Sequence, residues 1–233
     1  TAPIATITAP SAGLVTNGAT ITVSGNLTEL NLSTVTVNGV TATVTGNTFT
    51  ADVPLNNEGT NTLTVTVSDL ASNTGTAEVT VTKDTVNPVT TISSPADGLI
   101  TKESSITVSG QVTEANLASV TINGVTATLT GNDYTADVPL TNEGTNTIFA
   151  TATDSAGNSG IAQISVTRDT TVPVVSITSP VDGTLTNATS VTVTGDITET
   201  NIQSVTVNGV TATVTGSTFT ADVPLDTEGS NTI

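Results

Sequence analysis

Shifting the chain against itself by 85 residues brings three long segments into register, and this internal repeat limits what the sequence can fold into more than any other feature. VTVNGVTATVTGNTFTADVPL begins at Val35, VTINGVTATLTGNDYTADVPL at Val120 and VTVNGVTATVTGSTFTADVPL at Val205; the first and third differ only in Asn47 against Ser217. The same offset aligns SAGL at Ser11 with ADGL at Ala96 and VDGT at Val181. Solenoid units run about 20–50 residues, so a period of 85 is that of a complete small domain. Domains are therefore expected over residues 1–85, 86–170 and 171–233. The third lacks counterparts of the last two strands, so the chain reads as a window on a longer array.

Thr fills 57 of the 233 positions and Val and Ile supply most of the apolar content, which favours β-branched strands over helices. In the second repeat, period-two alternation predicts strands near 88–94, 104–112, 118–124, 125–130, 134–140, 145–153 and 160–168. The pattern turns Ile106, Val108, Val120, Ile122, Tyr134, Ala136, Val138, Leu140, Ile148, Ala150, Ile164 and Val166 inward. Asn123-Gly124 and the run from Asp154 to Asn158 carry residues suited to tight turns. Seven strands per repeat is the count of a small immunoglobulin-like sandwich. The expected fold is all-β: tandem immunoglobulin-like seven-stranded β-sandwich domains joined end to end.

Composition removes several kinds of chemistry. With no Cys and no His, the chain cannot build a thiolate or imidazole metal site, a Ser/His/Asp triad or a Cys/His pair. Three basic residues against 20 carboxylates give a net charge of −17, which repels phosphate backbones and excludes nucleic acid as a partner. No apolar run reaches the roughly 20 residues that span a bilayer, so no membrane insertion is expected in this segment.

The run SSPADGLITKESSITVSGQVTE from Ser93, with DYTADVPLTNEGTNTI from Asp133 and ATATDSAGNSGIAQISVTRDTTVPV from Ala150, resembles the bacterial immunoglobulin-like repeats of large surface adhesins. It is also similar to the glucodextranase B-like domain attached to some secreted glycoside hydrolases. The resemblance covers essentially the whole chain. It implies an extracellular or cell-surface location and a stalk-like role, and it brings no catalytic residues.

Seven strands send the chain in at one pole of a sandwich and out at the other. The leading pole of the second repeat then carries the loop Thr113-Glu114-Ala115-Asn116 and the loop from Asp154 to Asn158. These face the linker Lys83-Asp84-Thr85-Val86-Asn87 and the loop Asn57-Glu58-Gly59. Calcium takes about six to eight oxygen ligands, so Asp84, Glu114, Asp154 and Asn158 are candidate ligands of an interdomain calcium ion, with Asp169 and Glu199 as counterparts one repeat later. A local reading competes: Asp and Asn close turns through their own backbone, and the spacing lacks a dense Asp-x-Asp-x-Asp loop.

Asp52, Asp137 and Asp222 recur singly on the outer face of the TADVPL strand, which gives no carboxylate pair for glycoside hydrolysis. Phe149 breaks the polar outer face where the first repeat has Thr64. The expected role is a non-enzymatic spacer or stalk of a secreted or cell-surface bacterial adhesin, whose partners are neighbouring repeats. Alternatives are a subunit of an extracellular filament or sheath, which would add other copies of the chain as partners, and an accessory module of a secreted glycoside hydrolase.

Overall fold

Thr alternating with Val, Ile and Leu makes strands that are apolar on one side and hydroxylated on the other, and in the computed structural model, which describes all 233 residues, the chain is all-β. The first repeat runs through β1 (Ile4–Ala9), β2 (Leu14–Thr16), β3 (Thr20–Thr28), β4 (Leu32–Val37), β5 (Val40–Thr41), β6 (Thr43–Thr45), β7 (Thr48–Pro54), β8 (Gly59–Asp69) and β9 (Thr74–Lys83). The second repeats that order as β10 (Val89–Ser94), β11 (Leu99–Thr101), β12 (Ser105–Thr113), β13 (Leu117–Ile122), β14 (Val125–Thr126), β15 (Thr128–Thr130), β16 (Asp133–Pro139), β17 (Gly144–Asp154) and β18 (Ser159–Arg168). The third contributes β19 (Val174–Ser179), β20 (Ser190–Thr198), β21 (Thr206–Val207), β22 (Val210–Thr211), β23 (Thr213–Thr215) and β24 (Thr218–Pro224).

In the second repeat a four-stranded sheet, β10-β12-β16-β15, faces a five-stranded one, β11-β18-β17-β13-β14. Val108, Val120, Ile122, Tyr134, Val138, Leu140, Ile148, Ala150 and Val166 fill the space between them, and Ile106, Ala136 and Ile164 pack against that core half-buried. The first repeat has the same two sheets and its own core around Phe49, Leu63 and Val65. The chain divides into two compact units, Thr1–Arg168 and Asp169–Ile233. The second unit pairs β19-β20-β24-β23 in one sheet and β21 with β22 in another, around Val193, Ile197, Phe219 and Val223.

Two details depart from the expected strands, giving nine strand segments in each of the first two repeats in place of seven. Residues 125–130 are not one strand: β14 pairs with β13 in one sheet and β15 with β16 in the other, so the chain crosses the sandwich at buried Ala127. Leu99–Thr101 forms a short strand parallel to β18, with Leu99 opposite Val166. Three residues are too few to show a period.

Local chemistry sets the registers. Asn123 and Gly124 both take positive φ, 47° and 83°, the two-residue turn whose twist matches the β13–β14 hairpin. Gly110 lies beneath the aromatic ring of the next strand, where a Cβ would overlap Thr91 O and the Tyr134 ring. The Tyr134 hydroxyl passes over that gap and donates to Thr91 O at 2.8 Å.

Candidate functional site: the joint between the first two repeats

β9 ends at Lys83 and β10 begins at Val89, so a short linker must carry the chain from one sandwich to the next. It is held from both sides. From the first repeat, Glu58 accepts the Thr85 N–H at Oε1 (2.7 Å) and the Thr85 hydroxyl at Oε2 (3.1 Å), while Asp84 N–H donates to Thr16 O at 2.9 Å. The loop that presents Glu58 is itself shaped by buried Asn61, whose Nδ2 donates to Asn57 O and Gly59 O. Lys83 Nζ donates to Leu55 O and so ties the strand end to the same sandwich.

From the second repeat, two amides grip Asp84. Asn116 Nδ2 donates to its Oδ2 at 2.9 Å, and Asn158 Nδ2 donates to its main-chain oxygen at 2.8 Å. Asn158 also donates from Nδ2 to Asp154 Oδ2 at 2.8 Å, and its Oδ1 accepts Asn17 Nδ2 of the first repeat at 3.1 Å. A single side chain therefore links the linker, its own loop and the neighbouring sandwich. Asp84 and Asp154 are buried, with 7% and 3% of their surface exposed, and Glu114 is half-buried.

The Asp154 loop explains how a buried carboxylate is tolerated. Burial opposes its ionisation, but the Asn158 side chain and the backbone N–H groups of Asn158 and Ala156 donate to it and outweigh that cost. Its pKa is held below the usual carboxylate value. Asp69 in the first repeat is lowered too, chiefly by the Asn73 side chain, against the opposing effect of burial.

One oxygen each from Asp84, Glu114 and Asp154 lies within 4.8 Å of the others, close enough for a common cation. Asn158 turns its amide nitrogen, not its oxygen, toward Asp84 and Asp154. Beside the linker an open cleft of about 640 Å³ is lined by Glu58, Lys83, Asp84, Val86, Glu114 and Asn116 among others. In the unit Asp169–Ile233, Asn201 Nδ2 donates to Asp169 Oδ2 at 2.7 Å and its N–H to Glu199 Oε1 at 3.1 Å, as Asn116 does for Asp84 and Glu114. Glu199 Oε2 is buried without a partner.

Asn116 was not among the candidates, though its recurrence as Asn31 and Asn201 beside the acidic loops is a signal that could have marked it; nothing marked Asn17, whose counterparts are Lys102 and Asn187. Asp52, Asp137 and Asp222 stand apart from this site, each accepting a cross-strand hydroxyl from Thr22, Thr107 or Thr192. Phe149 is 43% exposed on the outer face of β17.

The profile of the family described as glucodextranase, domain B, matches residues 3–85, 88–170 and 173–233. Bacillopeptidase F of Bacillus subtilis is 36% identical over 130 residues, which cover 55% of this chain and 9% of that protein. The chain thus corresponds to about a tenth of the length of this curated relative. Among solved structures, a fragment of three immunoglobulin domains of titin aligns over 95% of this chain and 88% of its own, at 12% identity and a TM-score of 0.53. The fibronectin(III)-like modules of Clostridium thermocellum CbhA align over 71% of this chain and 94% of their own, at 15% identity and a TM-score of 0.48.

Proposed function

This chain belongs to the glucodextranase domain B family in three consecutive copies, and from that premise we propose that it is a non-enzymatic spacer in a secreted or cell-surface bacterial protein, working through joints that fix how successive domains follow one another. The observation that carries this reading is the clamped linker: Glu58 and Thr16 hold it from one sandwich, Asn116 and Asn158 from the next. A linker serving only as a flexible tether needs no such bonds, because polar chain in water is already satisfied. The companion domain is hydrolytic, a reading favoured by the description of the matching family, a domain of glucodextranase, and by the name of the curated relative, a bacillopeptidase. An adhesin head would use the same spacer.

The test is a distance measurement. The chain has no Cys, so Thr62→Cys with Thr147→Cys places two unique spin labels on exposed strand positions of the first two repeats. Pulsed electron paramagnetic resonance should give a narrow distance distribution, broadened by Asn158→Ala. A broad distribution in the unaltered chain would refute the spacer reading.

A second reading is favoured by the three carboxylates within 4.8 Å: calcium binds Asp84, Glu114 and Asp154 and stiffens the joint further. Titration calorimetry with calcium should then show binding that Glu114→Gln abolishes. Absence of heat at millimolar calcium, with the narrow distribution intact, would leave a joint held by amides alone.

A further inference from the structure

The leading pole of the first repeat is built like the one that receives the linker in the second. Asn73 donates from Nδ2 to Asp69 Oδ2 at 2.7 Å and from its N–H to Asp69 Oδ1 at 2.8 Å, reproducing Asn158 on Asp154. Asn31 N–H donates to Glu29 Oε1 at 2.8 Å as Asn116 N–H does to Glu114. Leu70 N–H donates to Asn31 O at 2.9 Å as Ser155 N–H does to Asn116 O. What differs is cover. Asn31 and Asn73 are exposed, whereas Asn116 and Asn158 are half-buried against Asp84. Leu30 is 99% exposed and Leu70 75%, at the positions where the second repeat has Ala115 and Ser155.

We infer that this pole, formed by Glu29, Leu30, Asn31, Asp69, Leu70 and Asn73, is a docking surface for the C-terminal strand end of another repeat of the same type, one that carries an aspartate in the place of Asp84. The inference rests on the spacer reading and extends it to a second surface. Two features define the occupant. The amides of Asn31 and Asn73 are set, as at the first joint, for one residue offering both a carboxylate and a main-chain oxygen. The chain path agrees: Pro88 O lies against Gly160, where a Cβ would overlap it, and Pro3 O lies against Gly75 in the same way. Asp84 stands four residues ahead of Pro88, as Asp169 does ahead of Pro173. An aspartate four residues ahead of Pro3 would reach Asn31 and Asn73 along the same course. Leu30 and Leu70 would then be covered by the loop equivalent to Asn57-Glu58-Gly59, which at the first joint borders the cleft with Ala115.

The experiment joins a copy of residues 86–170 ahead of Thr1 of the full chain, which sets Asp169 of the copy at the required spacing, and labels the added repeat and the first repeat as above. A distance distribution as narrow as that of the Thr62/Thr147 pair, lost on Asn31→Ala, is the expected result. Asn31 is exposed and its side chain takes no part in holding the first repeat, so this variant tests docking and not folding; Leu30→Ser with Leu70→Ser is a second variant that should act in the same direction. A broad distribution at the new joint beside a narrow one at the first joint would overturn this inference and leave the spacer reading standing. Breadth at both would overturn both. Self-association of the unextended chain, abolished by Asn31→Ala, would assign the surface to a second copy and overturn the occupant named here.

Discussion

Replacing Asn158 with alanine removes two donated side-chain bonds, to Asp84 O and Asp154 Oδ2, each 2.8 Å long, and one accepted from Asn17 at 3.1 Å. A neutral bond nets about 1 kcal/mol and one to a charged group about 2, and the exposed Asn17 contact adds little, so the expected loss is about 3 kcal/mol. A domain of this size has about 4–13 kcal/mol to lose, so the second repeat should remain folded but clearly weakened. The first repeat supplies the control. Asn73→Ala removes the matching bond to Asp69 and nothing at a joint, so it should cost about 2 kcal/mol. The difference, about 1 kcal/mol, is what gripping the linker contributes. Amide hydrogen exchange reads the two repeats separately, through β17 and β18 for Asn158→Ala and β8 and β9 for Asn73→Ala. Tyr134, the one tyrosine in a chain without tryptophan, gives an independent fluorescence signal for the second repeat. Equal losses in the two repeats would refute the argument, because the linker bond would then contribute nothing.

Gly110→Ala should destabilise the second repeat by about 1–3 kcal/mol or more in urea unfolding, since its Cβ meets a main-chain oxygen and a ring packed in the core. Tyr134→Phe should cost only about 1 kcal/mol in the same assay, because Phe49 and Phe219 occupy the matching sites and just the bond to Thr91 O is lost. Asp137→Ala, on the solvent face of β16, should change stability by no more than about 0.5 kcal/mol; a large loss would mean that its bond from Thr107 matters more than exposure allows. Acid should weaken the first two repeats. Asp69 and Asp154 have folded pKa values below the ordinary aspartate value, so the unfolded chain takes up protons first. Their contribution is full above about pH 4 and is lost as pH falls through the folded values, which circular dichroism melts from pH 6 to pH 2 would follow.

The sandwich was legible because burial on one face imposes a period of two along every long strand. Val108, Val120 and Ile148 could be assigned inward from sequence, and each is fully buried. The same reasoning could not divide residues 125–130, because alternation continues unbroken while the chain passes from one sheet to the other at Ala127. It also could not find Leu99–Thr101, whose strand character comes wholly from its partner β18.

At the joint, the acidic loops were legible from their recurrence, but the direction of the amides was not. Sequence makes Asn158 as good an oxygen ligand as a nitrogen donor. Only the approach of Asp84 O from the preceding repeat and of Asn17, 141 residues away in the chain, turns its Nδ2 toward the acids and its Oδ1 back to the first sandwich. That orientation has a mechanical consequence. With the acids satisfied by Asn116, Asn158 and backbone donors, the joint is held by hydrogen bonds that exist before any cation arrives, so a bound ion would tighten a geometry already set. Stiffness at this joint should therefore respond more strongly to loss of Asn158 than to a chelator, and the reverse order would show that the carboxylates, not the amides, hold the two sandwiches in place.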